Sequence, residues 1–522
     1  MTTTDLLRPP RTARRTAAWA FPLVFGLLGV AALSVLGVNL AGFGEVGGLL
    51  ARAWPPTLSD PATTFAHVLD TLWMAIAGTA LAALLAAVLA VCVGTRARPV
   101  ALAVIVACRA VPDIVFAVFF VAALGIGPLP GVLALGLHSV GMLGKLFAEA
   151  VERADTGVRE AVAGTGASPL QRLTAGVLPQ VAPAWVAAVL YRLDINFRGS
   201  VLLGAVGAGG IGLDLKTAFG FTDYPEATGI ALVTVAVVLL VEAVSVGLRG
   251  QLLGAGRAVA APSFTGTRVP WTRARTIVHL AGWGGLLLAA AALWQVGFSP
   301  AQLLRSVTAI GEFLPPDFGP ILGLLGPGLA ETCAIALGAT FLGVLSGVPL
   351  GLLAARAVAP HPVVRLAARA ALVGLRSIPD LLLVLIFVAA FGLMQGAVAG
   401  TLALAVFTAA LVAKLVADEA EELRRGPREA LLSAGAGPAQ ELTVSLFGQL
   451  TPRLVATTLY ALDVNLRAFF VLGIVGAGGL GFALSQHIRA LDYDVVTAIV
   501  LPVFAIVLFV EGISTVLRSL LR

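Results

Sequence analysis

The stretch AEAVERADTGVREAVAGTGASPLQRLTAGVLPQVAP, residues 148–183, is a polar break between two long apolar runs, and it returns as ADEAEELRRGPREALLSAGAGPAQELTVSLFGQLTP at 417–452. Glu160 maps on Glu429, Gly166 on Gly435 and Gln171 on Gln440 at one offset, 429 − 160 = 269. One device therefore occurs twice, and the apolar chain around it repeats as well. LDTLWMAIAGT at 69–79 resembles LAETCAIALGAT at 329–340, CRAVPDIVF at 108–116 resembles LRSIPDLLL at 375–383, and VLYRLDINFRGSVLLGAVGAGGIG at 189–212 resembles TLYALDVNLRAFFVLGIVGAGGLG at 458–481.

Composition says what surrounds the device. Of 522 residues, 59% are hydrophobic and 12% charged, where soluble domains have roughly 45–50% and 25%. Too few polar groups remain to cover a globule, so the chain is expected to be an all-α integral membrane protein. In lipid each backbone N–H and C=O must be bonded inside its own helix, which takes about 20 apolar residues per crossing. The 59 glycines suit close helix packing. The net charge of +6 is mostly arginine and reads as cytoplasmic loop charge, with no nucleic-acid affinity implied. Cys92, Cys108 and Cys333 have no paired or metal-like spacing, and the five histidines form no metal set.

About twelve crossings are expected, near 17–38, 71–94, 111–126, 129–148, 176–204 and 229–248, then 276–296, 328–354, 378–394, 397–416, 446–473 and 495–517. The first run is too long for a signal-peptide core and has no convincing cleavage site after it. Arg8, Arg11, Arg14 and Arg15 place the N-terminus inside by the positive-inside rule. The loops 95–110, 149–175 and 249–275 then face the cytoplasm with nearly all the arginine, whereas 39–70 and 213–228 carry only Arg52 and Lys216. Residues 250–275, rich in Gly, Pro, Ser and Thr, form a linker, so the expected division is a first half 1–249 and a second half 276–522. An even number of crossings in the first half gives the second the same orientation. These are parallel repeats about a pseudo-two-fold axis, with both termini cytoplasmic.

At these residues the chain resembles a family. Glu160, Ala161 and Gly166, followed by Leu178-Pro179, are similar to the "EAA" loop of ABC-importer permeases, and Glu429, Ala430 and Gly435 repeat it. The loops so identified run over 149–175 and 418–445. Within that superfamily, Tyr191, Asp194, Asn196, Arg198 and Gly204–Gly212, with Tyr460, Asp463, Asn465, Arg467 and Gly473–Gly481, most resemble phosphonate-type permeases. Single halves that pair are the usual form, so this chain looks like two copies fused.

The resemblance implies that each loop docks on one of two copies of a cytosolic ABC ATPase subunit, that an extracytoplasmic substrate-binding protein delivers the solute, and that the bacterial plasma membrane houses the chain among its lipids. It implies no cofactor, metal or catalytic residue here. The expected substrate is phosphonate or a related phosphorus oxyanion, with methionine or another small solute as the alternative. A gradient-driven secondary transporter would explain the repeat but not the doubled loop. Phe447-Gly448 stands where the first copy has Leu178-Pro179, and Ser433 where it has Gly164, so the two loops need not dock equally.

No ATPase motif is present, since Gly144-Lys145 has Ser139 where a P-loop needs its first glycine and Leu146 after the lysine. Gly207, Gly209 and Gly212, like Gly476, Gly478 and Gly481, match the dinucleotide fingerprint, but both copies end a membrane helix where the fingerprint needs a strand. They read as a bend gating the outer end of the pore or as tight helix packing. Asp194, Asn196, Arg198, Asp463, Asn465 and Arg467 are the candidate translocation-path residues, because ionisable groups inside a membrane default to function and an arginine fork suits an oxyanion. The alternative is that Asp and Arg at i and i+4 merely neutralise one another. Lys145 and Lys414 are expected to snorkel, and Arg109, Arg365, Arg369 and Arg376 to anchor at the membrane surface. Glu242 and Glu511 are equivalent by offset, 511 − 242 = 269, with no role readable from sequence.

Overall fold

The computed structural model describes residues 11–37, 42–259, 273–297, 299, 301–302, 306, 308–392, 395–437, 440–474, 476 and 478–521. Arg8 and residues 260–272 of the linker lie outside them. The described residues are helical, with no strand among them. In chain order the helices are α1 (Arg11–Val35), α2 (Gly42–Arg52), α3 (Pro61–Val93), α4 (Arg98–Ala110), α5 (Asp113–Leu124), α6 (Pro128–Glu152), α7 (Thr156–Gly164), the single turn α8 (Pro169–Gln171), α9 (Leu178–Leu203), α10 (Ile211–Gly220), α11 (Tyr224–Val259) and α12 (Arg273–Gln295). After them come α13 (Leu322–Ala354), α14 (Pro362–Ser377), α15 (Asp380–Phe391), α16 (Gly396–Glu421), α17 (Arg425–Ser433), α18 (Gly448–Ile474), α19 (Gly479–Ala490) and α20 (Tyr493–Leu521).

Among the described residues seven helices are long and apolar enough to cross a membrane, and two bent pairs raise the number to nine. Helices also occupy the expected first, seventh and eleventh crossings, at Arg11–Val35, Arg273–Gln295 and Gly448–Ile474. The third and ninth crossings differ from expectation. Each is a pair, α4 with α5 bent by 86° and α14 with α15 bent by 84°. The bends fall at Pro112 and Pro379, whose rings disfavour helical backbone in the residue before them; Val111 and Ile378 are extended accordingly (ψ 125° and 120°). The arginine-bearing stretches before these prolines are therefore amphipathic helices rather than loops.

The chain forms two compact units, one of residues 53–312 and one of residues 1–52 with 313–522. This division differs from the sequence halves, because the first helix of each half belongs with the core of the other. In the unit containing 313–522, α1 lies on α13, where Phe341 sits against Gly26 and Gly29, and Leu33 meets Gly338. Small residues let two backbones approach closely where lipid supplies no hydrophobic driving force. Within that unit Gly343, Gly347 and Gly351 form a stripe one turn apart on α13 facing α16. A Cβ on Gly347 would come within 2.7 Å of the Ala409 carbonyl oxygen, and one on Gly351 within 2.6 Å of that of Ala413. In the unit of 53–312, α12 packs on α3, and α3 meets α6 through Ala82, Ala86 and Ala90, all fully buried. These alanines match the glycine stripe position for position (343 − 82 = 261).

Candidate functional site

Each polar break folds as an elbow. In the first, the Asp155 carboxylate caps α7 by accepting from the Gly157 N–H at 2.8 Å. The helix ends at Gly164, and just past it Gly166 has a φ of +78°, a left-handed value that only glycine adopts without strain. Ser168 and Gln171 then form a capping box, Arg172–Val177 winds as a π-helix, and α9 follows. The elbow closes where Gly176 backs onto α7: a Cβ there would lie 3.4 Å from Arg159 Cα. Glu160 and Ala161 remain exposed on α7. The second elbow repeats the design, with Gly435 also at φ +78°, the Gly437 N–H donating to Gln440 Oε1 at 3.0 Å, and a π-helix over Glu441–Phe447 leading into α18. Phe447-Gly448 thus reaches the same backbone path as Leu178-Pro179. Glu429 and Ala430 are exposed on α17.

A residue that sequence reading passed over fastens each elbow. Gln180 Oε1 accepts from the Asp155 N–H at 2.9 Å while its Nε2 donates to the Gly176 carbonyl at 2.6 Å. Gln449, at the same offset, donates to the Ser445 and Arg424 carbonyls at 3.0 and 3.4 Å. Its recurrence at 180 + 269 = 449 was the available signal. The amphipathic helices are tied to the same corners, Arg98 to Glu152 at 2.9 Å and Arg369 to Glu421 at 2.6 Å, so Arg369 is an ion-pair partner as well as a surface anchor. Lys145 and Lys414 reach Glu149 at 3.9 Å and Asp418 at 2.7 Å, one turn on.

The six candidate path residues separate onto two faces of their helices. Arg198 donates to both oxygens of Asp194, at 3.0 and 3.1 Å, and lies 3.4 Å from Glu242 on α11. Arg467 does the same with Asp463, 2.8 Å to each oxygen, and lies 3.9 Å from Glu511 on α20. Glu242 and Glu511 thereby acquire a role, each completing an acid–base–acid cluster that joins the fifth and sixth crossings of its repeat. In both repeats the arginine is engaged by the aspartate one turn before it and by the glutamate of the next crossing.

Asn196 and Asn465, also expected on the path, lie between helices. Both are fully buried bolts. Asn196 accepts from Ser139 Oγ at 3.0 Å and donates to Thr79 Oγ1 at 2.9 Å, joining α9 to α6 and α3. Asn465 likewise accepts from Thr408 at 2.9 Å and donates to Thr340 at 2.8 Å. An amide with both ends satisfied inside a bundle is stable there and expensive to expose. Arg192, absent from the sequence-derived set, joins the first bolt by donating from Nε to Ser139 Oγ at 2.8 Å.

The glycine segments form a tight non-helical bend. Gly207, Gly209 and Gly210 have φ of +124°, +79° and +68°, and the chain doubles back so that Gly204 lies against Gly209 and Gly212. The bend is held by Thr71 Oγ1, which accepts from the Ile211 N–H at 3.0 Å, and by Lys216 Nζ, which donates to the Ala205 carbonyl at 2.7 Å. Gly476, Gly478 and Gly479 repeat it at +111°, +82° and +59°, with Gly473 against Gly481. No nucleotide fold is present around either segment among the described residues.

Comparison with known proteins places this geometry. Residues 78–253 and again 347–522 match the family described as binding-protein-dependent transport system inner membrane component. The phosphate-import permease protein PhnE of Mycolicibacterium smegmatis is 43% identical over 483 residues, covering 90% of this chain and 88% of that protein. The phosphite transport system permease protein PtxC of Stutzerimonas stutzeri is 44% identical over 216 residues, covering 40% of this chain and 78% of that protein. A solved chain of the MetNI methionine ABC transporter is 24% identical, with a TM-score of 0.36 over 39% of this chain and 99% of that one. With two matched segments that together span more than half its length, each containing an elbow, a buried asparagine bolt and a glycine bend, the chain belongs to the inner membrane components of binding-protein-dependent transport systems, as two copies in tandem.

Proposed function

We propose that this chain is the complete membrane pathway of an ABC importer for a phosphorus oxyanion, of the class phosphate, phosphonate or phosphite. The observation that carries the reading is the similarity to a phosphate-import permease along nearly the whole of both chains. The two elbows are the surfaces on which two copies of a cytosolic ATPase subunit act, and a substrate-binding protein docks on the opposite side of the membrane. Both termini and both elbows face the cytoplasm, in keeping with the arginine bias of the loops.

In this mechanism ATP-driven closure of the ATPase subunits moves α7 and α17. The elbows are stiff because Gln180 and Gln449 bind them to the roots of α9 and α18. Movement therefore passes to the fifth crossings, and the Arg198 and Arg467 clusters carry the sixth crossings along. The glycine bends at the far ends of α9 and α18 are the gate, opening toward the binding protein and closing after release. Hydrolysis then resets the pathway inward.

The test is copurification with ATPase subunits encoded beside the gene, followed by ATPase and uptake assays in liposomes. Binding protein and phosphate, phosphonate, phosphite or methionine are supplied in turn. Stimulation by a phosphorus oxyanion is expected. Uptake that follows an imposed ion gradient with no ATPase bound overturns the reading. The combined substitution Gly166→Leu with Gly435→Leu forces a side chain into left-handed backbone at about 1–2 kcal/mol each. It is expected to abolish ATPase assembly, and undiminished assembly and uptake would sink the elbow assignment.

A further inference from the structure

In the unit containing 313–522, α13, α14, α15 and α16 border a cleft of about 540 Å³, to which they contribute Leu345, Leu375, Phe387 and Val406 in turn. Two small residues open it. Ser346 of α13 and Ala409 of α16 stand where the first repeat has Leu85 and Val140 (346 − 261 = 85, 409 − 269 = 140). The first repeat differs in the other sense at Cys108 and Gly136, opposite Leu375 and Ala405, so the two corners are packed by different side chains. The Ser346 hydroxyl donates to the Leu342 carbonyl of its own helix at 2.7 Å, so the one polar side chain on the wall is already satisfied. An ion would find nothing there to bond, whereas a hydrocarbon chain would be at home. One wall of the cleft is amphipathic. α14 meets α15 at 84°, so where α15 crosses a bilayer α14 runs along its surface. Val363, Leu366 and Val373 are exposed on one side of α14, Ala368 and Leu372 are buried on the other, and Arg365, Arg369 and Arg376 recur at intervals of four and seven along the edge between them.

We propose that this cleft binds one acyl chain of an anionic phospholipid, whose headgroup is held at the arginine edge of α14. Two walls of the cleft, α13 and α16, are helices long and apolar enough to cross a membrane, so the medium around it is acyl chain. A row of arginines on a helix lying in the interface attracts anionic headgroups, and Arg369 keeps its bond to Glu421 at 2.6 Å as part of that row. Leu375, which lines the cleft, is the residue before Arg376, so a single molecule can place its chain in the one and its phosphate near the other. The lipid would then complete the packing of the second corner, where the first relies on Leu85 and Val140. This site ties the protein to the composition of its bilayer, apart from the solute it carries.

The experiment takes the full chain from liposomes of phosphatidylglycerol and phosphatidylcholine in equal amounts into mild detergent, and native mass spectrometry counts and identifies the phospholipids it retains. Ser346→Leu with Ala409→Val copies the first repeat and fills the cleft. Wild type is expected to retain one phospholipid more than this variant, with phosphatidylglycerol preferred about tenfold. Arg365→Gln is expected to lower that preference by about fivefold, the worth of one arginine near an anionic surface, without lowering the count. A filled variant that retains as many lipids as wild type overturns the cleft assignment. Retained lipid that mirrors the bulk mixture, or a preference untouched by Arg365→Gln, overturns the headgroup assignment. Inorganic phosphate added during extraction is expected to change nothing, and a lipid count that falls with it would overturn the choice of lipid as the ligand. If the double variant does not insert, Ala409→Val alone is read in the same way.

Discussion

The two elbows share a backbone but stand on different footings. Beneath the first, Trp185 of α9 stacks on Phe147 of α6 with ring centroids 4.4 Å apart and planes 8° from parallel, and its Nε1 donates to the Phe147 carbonyl at 3.3 Å. The corresponding residues of the second repeat are Leu454 and Val416 (185 + 269 and 147 + 269). There Val416 and Leu454 pack in an aliphatic cluster with Val412 and Leu450, and polar contacts are added beside it. Arg453 lies 3.6 Å from Glu422 and donates to the Glu419 carbonyl at 3.2 Å, while Thr457 donates to Glu419 Oε1 at 3.0 Å. The first repeat has Ala184, Ala150 and Ala188 at the positions of Arg453, Glu419 and Thr457. The first copy rests on an aromatic stack and the second on aliphatic packing with ionic contacts added, so only the second carries a salt-sensitive component.

Four measurements break or sharpen that comparison. The largest effect belongs to what the repeats share. Removing one partner of a buried ion pair leaves an uncompensated charge, so Arg198→Ala is expected to destabilise the complex by about 3–5 kcal/mol in thermal unfolding. Arg467→Ala should be milder, because the Asp463 side chain is 16% exposed and that of Asp194 only 3%. Equal losses would show that burial does not set the difference. Next comes Trp185→Ala, expected to lower stability by about 2–3 kcal/mol, below the range for a fully buried ring because Trp185 is half-buried. That loss should not vary with salt.

Gly347→Ala follows, at about 1–3 kcal/mol, since its Cβ would overlap the Ala409 carbonyl and approach Val412 to 3.0 Å. Ala86 occupies the same place in the first repeat without conflict, so a neutral Gly347→Ala would mean the two interfaces are equally spaced. The smallest effect is that of Arg453→Ala. Arg453 and Glu422 are 40% and 76% exposed, and the loss should be at most about 1 kcal/mol, disappearing in high salt. A salt-independent loss there would remove the contrast with Trp185.

Sequence alone showed the repeat, the helical membrane architecture and the elbows, because all three depend on local pattern: apolar run length, glycine at a forced positive φ, and recurrence at a near-constant offset. It did not show the bends at Pro112 and Pro379, since an apolar run reads alike whether it crosses straight or turns by 84°. Nor could it assign faces. Asp194, Asn196 and Arg198 are neighbours in sequence, but 100° per residue sends the asparagine one way and the ion pair another. Glu242 and Gln180 act across elements, so only their repetition at 511 and 449 hinted at a role. Arg192 was hidden for the converse reason, having no counterpart to point to it.

The placement of α1 on α13 has a consequence for synthesis. The helix 11–35 leaves the ribosome 322 − 35 = 287 residues before the first residue of its packing surface. At about 5–20 residues per second, that is a wait of roughly 15–60 s. A helix in water exposing Gly26 and Gly29 along an unpartnered apolar face would be an aggregation hazard for that interval. In lipid it is already hydrogen-bonded within itself and solvated by acyl chains. The bilayer thus acts as a holding chaperone for the N-terminal helix, and membrane insertion of α1 has to precede translation of the surface that fixes its position.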